Sequence, residues 1–270
     1  MTLEVAKNEL IKTFHHKQFY ILLVFIIIMA LFSTYIYSDI QNKIINGDVG
    51  ANRYTEKVKE SYINMNGSIF MEKFLTDFIF KPMIPYFLIF MVLFSIRTFS
   101  EDNTSGNLKF FILGANNRID IFYGKILYLF AIVTIVVLIN ILLSFVLGAL
   151  FFGVKGMTIK GLLSISSIYL LAIIPVLAFS SLIGVFSLMP GSSNVFIVIG
   201  VMLSVLVSVI DRFTISKYFS PIGILTKLVD VDIIDIRIFD LVKSNFVAFI
   251  YFGIAMVIGI LLFRKKDWIY

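Results

Sequence analysis

The sequence predicts an all-α, polytopic membrane protein with six transmembrane helices and an amphipathic amino-terminal interfacial helix, in a single domain over residues 1–270. Three observations carry that prediction. Hydrophobic residues make up 59% of the chain and charged residues only 15%, with a mean hydropathy of +0.98, too little polar surface to cover a soluble fold of this size. The run from Tyr128 to Gly153 holds 26 residues without one formal charge, and five further runs are nearly as bare. These runs are too long and too uniformly apolar for barrel strands, which alternate over about 10 residues, so helices are the way to pair the backbone in hydrocarbon.

In order along the chain, residues 3–19 read LEVAKNELIKTFHHKQF, with Leu3, Ala6, Leu10 and Phe14 at helical spacing, the pattern of a helix lying flat at the interface. The spans fall at about 20–37, 82–96, 126–152, 162–188, 194–210 and 246–263. The first lacks a small-residue cleavage site and is followed by more spans, so it reads as a retained helix. The second is short and extends upstream through FIFKP, where Lys81 can snorkel. Residues 38–81 read as a long polar loop in which 56–62 adds an amphipathic turn or two, and Asn66-Gly67-Ser68 forms a formal glycosylation sequon. The fourth span carries Pro175 among six serines, a pattern of a kink whose freed carbonyl the serines satisfy. MPGSS at 189–193 is a tight turn, and KLVDVDIIDIRIFDLV at 227–242 suggests an interfacial segment or short strand.

With the amino terminus inside, the inner segments hold 10 Lys or Arg against 6 Asp or Glu and the outer segments 13 against 11, so bulk counts do not choose the orientation. Local placement does. Lys12 and Lys17 precede the first span, Arg97 closes the second, Lys125 opens the third, and Arg264, Lys265 and Lys266 follow the last, which puts both termini in the cytoplasm. The net charge of +6 fits contact with anionic membrane lipid, and no basic patch with stacking aromatics points to nucleic acid. There is no cysteine, and His15 and His16 are adjacent, not one turn apart, so neither a thiolate nor a chelating pair is expected. No catalytic residue, metal or cofactor is assigned to this chain.

Within the spans, Asn140 and Ser144 share one face of the third helix and Ser180 lies in the fourth. Each fits helix packing or a translocation path. No acidic or basic residue sits centrally in a span, which disfavours an ion relay and favours an amphipathic or apolar cargo.

Between the second and third spans lies SEDNTSGNLKFFILGANNRIDIFYGKILYL, residues 100–129. Glu101, then Gly106-Asn107-Leu108, an apolar run, Arg118 and Gly124-Lys125 resemble the signature of the permease subunit of type-2 (ABC-2) exporters. The resemblance covers most of the chain in layout and about thirty residues in motif. It implies a surface helix that docks on a separate cytoplasmic ATPase subunit: Glu101 and Arg118 in polar contact, Leu108 and Phe111 buried in the ATPase, Gly106 and Gly114 shaping the turns. ATP and Mg would sit on that ATPase, since this chain has no G-x-x-x-x-G-K-[ST] loop. A second permease subunit, identical or related, and export of a peptide, antibiotic or lipid-like cargo are implied in the same way. The residues alone also admit an ATP-independent six-span carrier or channel, or a non-transporting scaffold or immunity protein.

Overall fold

A computed structural model describes residues 1–47, 55–79, 85–101, 118–213, 215–223, 225 and 238–265. Among these, every regular element is helical. The helices are α1 Thr2–His15, α2 Lys17–Ile45, α3 Glu56–Ile63, α4 Gly67–Phe74, α5 Tyr86–Ile96, α6 Arg118–Phe152, α7 Ile159–Leu171, α8 Ile173–Phe186, α9 Ser193–Phe213 and α10 Ile238–Lys265, with π turns at Leu75–Ile79 and Arg97–Glu101 and a 3₁₀ turn at Ile215–Tyr218.

Five helical stretches are long and apolar enough to cross a bilayer: α2, α6, α7 with α8, α9 and α10. The chain is therefore polytopic. Helix α6, at 35 residues, spans about 52 Å at 1.5 Å per residue, well beyond about 30 Å of hydrocarbon. It begins eight residues before the expected start at 126, and α2 and α10 also outrun the predicted spans.

The expected polar loop over 38–81 is the largest departure, because much of it folds. Helix α2 runs on to Ile45, α3 follows, and α4, continued by its π turn, packs against α6. Asn66 starts α4 as its N-cap, its Oδ1 accepting from the N–H groups of Ser68 at 3.0 Å and Ile69 at 3.1 Å. That residue is buried, so the sequon is a helix cap and not an exposed acceptor. At the far end of α6, Gly153 takes φ +80°, a left-handed stop, and its carbonyl accepts from Gly67 N–H at 3.1 Å. Gly148 lies so close to Gly67 that a Cβ on it would stand 2.9 Å from the Gly67 backbone. Phe70, stacked between Phe74 and Phe152, fills the space beside this crossing.

Residues 67–79 and 86–101 thus run antiparallel to α6 along its length, from the Gly67–Gly148 contact at one end to a Thr98–Lys125 contact at the other. Residues 80–84 lie outside those described, and Pro85 is the residue before α5.

Helix α8 is the hub: 72% of the α7–α8 span window is buried, against 17% for α9 at the periphery. On α9 the usual polarity is inverted. Below Phe196, the buried face is Gly200, Ser204, Ser208 and Asp211, while Val198, Met202, Leu206 and Ile210 are exposed, which is how a helix between protein and lipid sorts its residues. Ser204 and Ser208 satisfy themselves by donating to the carbonyls four residues back, Gly200 O at 2.7 Å and Ser204 O at 2.8 Å.

The fourth span breaks at Ala172, between α7 and α8. Pro175 has no N–H to give Leu171 O. The serines do not fill that role: Ser180 donates to Val176 O and Ser181 to Ala178 O. Leu171 O instead accepts from Asn245 Nδ2 on α10, at 3.5 Å. The segment 226–237, expected as an interfacial stretch or strand, lies outside the described residues; the part from Ile238 onward is the start of α10.

Candidate functional site

Helix α1 forms where the amphipathic lead-in is expected. Of the expected stripe, Ala6 is buried, Leu10 and Phe14 pack half-buried against the core and Leu3 is 74% exposed, while Val5, Glu9 and Thr13 are buried beside them. Glu9 and Thr13 lie one turn apart on α1, His16 is the extended residue that joins α1 to α2, and each meets a polar group on the bundle.

Thr13 Oγ1 and Tyr128 OH share a hydrogen bond of 2.6 Å in the interior. Glu9 Oε1 lies 2.9 Å from Lys12 Nζ and 3.9 Å from Lys125 Nζ. Lys125 is 1% exposed, a buried cation whose ammonium also donates to Thr98 O in the π turn after α5 and stands 5.9 Å from the centre of the Phe99 ring. The Arg97 guanidinium contacts the His16 ring, and His16 Nδ1 accepts from Gln18 N–H, capping α2. Gly124 permits the approach: a Cβ there would sit 2.6 Å from Val5 Cβ and 2.8 Å from Thr2 O.

The π turn Arg97–Glu101 is held from its other sides as well. Ser95 Oγ donates to Ser180 O at 2.6 Å, Ser100 Oγ and Ser193 Oγ are 2.7 Å apart, and Phe99 packs on Phe122. The two ends of the predicted coupling segment are therefore fixed to one another and to α1, α8 and α9. A buried charge is stable only when paired and hydrogen-bonded, so these contacts set the geometry of the junction sharply.

Of the residues expected to couple, Glu101 is the last of the π turn and Arg118 the first of α6. Gly106, Leu108, Phe111 and Gly114 lie outside the described residues. Asn140 and Ser144 are buried on α6 and bond to their own helix, Asn140 Nδ2 to Val136 O and Ser144 Oγ to Asn140 O, at 2.8 and 2.7 Å. Asn140 also borders a void of about 30 Å³, room for a single water. Ser180 belongs to a different contact, against Ser95 of α5.

Glu9, Thr13, His16, Thr98 and Tyr128 were not legible as a unit. Arg97 stood out only as a basic residue at a span end, and Lys125 as one that also closes the Gly124-Lys125 pair of the resemblance. The signal within reach was the polar pair Glu9 and Thr13, one turn apart beside the apolar stripe. Among the described residues no three His, Asp or Glu side chains gather as a metal site.

Residues 49–269 match the family described as Protein of unknown function (DUF2705). The comparison with curated proteins finds no match.

Proposed function

We propose, from the premise that this chain belongs to the DUF2705 family, that it is the membrane-spanning subunit of an ATP-driven exporter. A separate cytoplasmic ATPase subunit carries ATP and Mg, and a second membrane subunit, identical or related, completes the assembly. The observation that carries this reading is the clamp at Glu9, Arg97, Thr98 and Lys125. It holds both ends of residues 102–117 against the bundle, so a push on that segment is delivered to α1, α5 and α6 together instead of being lost in loose loop motion. Residues 67–79 together with 86–101 supply the sixth crossing, and both termini face the cytoplasm. The cargo is a peptide, antibiotic or lipid-like molecule, because the polar side chains Asn140, Ser144 and Ser180 are few and uncharged.

Leu108→Asp and Arg118→Glu should abolish transport and loosen capture of a Walker-motif ATPase in mild detergent, with membrane insertion intact. Normal transport by both variants at normal expression refutes the coupling role. Retained activity without any co-purifying ATPase would favour the ATP-independent carrier, and no transport at all a scaffold or immunity protein. Labelling from outside intact cells should reach Asp48 and Arg53 while sparing Asn116 and Asn117; the reverse pattern would put the segment beyond the ATPase's reach.

A further inference from the structure

Helices α6, α8 and α10 do not close on one another along their whole length. Between them a groove of about 480 Å³ opens sideways, lined by Ile126, Phe130, Ile174, Leu177 and Phe252, with Thr2 and Tyr123 at one end. This volume is that of an ordinary small-molecule site, yet along the walls between those two polar groups no side chain offers a hydrogen bond, so the occupant is apolar where it contacts protein. From Tyr123 to Phe130 the groove climbs about 10 Å along α6, starting at the end of the bundle that carries α1. It therefore occupies one leaflet.

Its mouth has the character of a headgroup level. Tyr123 is 40% exposed, placed as interfacial aromatics are. Phe263 of α10 packs on Phe122 at 5.4 Å between ring centres, which brings the next residue, the exposed Arg264, to the height of Tyr123. Lys265 and Lys266 follow in sequence. An apolar slot within one leaflet, with the exposed cation Arg264 at the height of its mouth, matches a lipid with an anionic head.

We propose that this groove binds one acyl chain of an anionic phospholipid from the leaflet that carries α1, with its headgroup beside Arg264. The site does not depend on the export reading, since it lies on the other face of α6 from the clamp and needs no ATPase. The lipid fills a gap between three spans that would otherwise lose packing contacts on one side.

The full chain, reconstituted in vesicles of phosphatidylglycerol and phosphatidylcholine in equal parts and re-extracted in mild detergent, should retain one phosphatidylglycerol per chain by native mass spectrometry. Ile174→Trp, which fills the groove, should lose that lipid. Leu142→Trp and Val257→Trp, exposed positions on α6 and α10 away from the groove, should keep it. Arg264→Glu should cut the preference for phosphatidylglycerol about fivefold or more, the effect expected of one basic residue near an anionic surface. Absence of retained lipid from the wild-type chain, equal retention by Ile174→Trp, or equal retention of the two phospholipids would each overturn the proposal. So would a two-chain mass that excludes lipid, which would give the groove to a second copy.

Discussion

Glu9 and Lys125 are the most consequential pair to perturb, because a charge that is 1% exposed has little water to fall back on. At their 3.9 Å separation two unit charges attract by about 4 kcal/mol at an effective dielectric of about 20. Burying each ion costs several kcal/mol, so the net contribution is small while the cost of breaking the pair is large. Glu9→Gln leaves the buried Lys125 ammonium short of its carboxylate and should cost about 3–5 kcal/mol. Lys125→Met should cost less, since Glu9 keeps Lys12 at 2.9 Å, on the half-exposed side of the cluster. The double variant Glu9→Gln, Lys125→Met should then fall short of the sum of the singles by about 1–3 kcal/mol. Unfolding free energies from denaturant titration in bicelles measure all four corners of this cycle. Additivity within about 0.5 kcal/mol would mean that the two groups do not sense each other, and the clamp would reduce to packing.

Three further outcomes follow from the geometry. Gly124→Val drives a side chain into Val5 and the Thr2 carbonyl, so α1 should lose hydrogen-exchange protection while α2 keeps it; unchanged protection over residues 2–15 would show that α1 is not seated there. Asn245→Leu should cost about 1 kcal/mol by removing the donor to Leu171 O, and less in a Pro175→Ala background, where the backbone N–H returns; equal costs in the two backgrounds, by the same titration, would discount the bond. Gly148→Leu pushes against the Gly67 backbone and should cost about 1–3 kcal/mol, read as a lower melting temperature, whereas a neutral result would place α4 away from α6.

Much of the scaffold was legible because lipid imposes a rule that one sequence can reveal: uncharged runs near 20 residues must be helical. The rule locates hydrophobic centres and fails at their ends. Residues 38–81 carry enough charge to resemble a loop, yet Phe70, Met71 and Phe74 bury α4 against α6, because protein rather than water or lipid surrounds it. The stripe Leu3, Ala6, Leu10 and Phe14 likewise pointed to a membrane-facing helix, yet Ala6 is buried and Leu10 and Phe14 pack against the core. Beside them Glu9 meets the buried charge of Lys125, more than a hundred residues away in the chain.

The serines around Pro175 teach the same lesson from inside a span. Their proximity in sequence made them candidates to satisfy Leu171, but a hydroxyl on a helix most readily reaches its own i−3 or i−4 carbonyl, and Ser167, Ser180, Ser181 and Ser187 do so. The donor came from Asn245, on another helix.

Composition and the spacing of apolar runs alone determined that the chain is a helical protein of the bilayer, since backbone pairing in hydrocarbon is a local requirement. Only the tertiary structure decided which buried polar groups meet, because partners such as Glu9 with Lys125, Thr13 with Tyr128 and Asn245 with Leu171 are chosen by distance in space, and nothing in their local sequence encodes it.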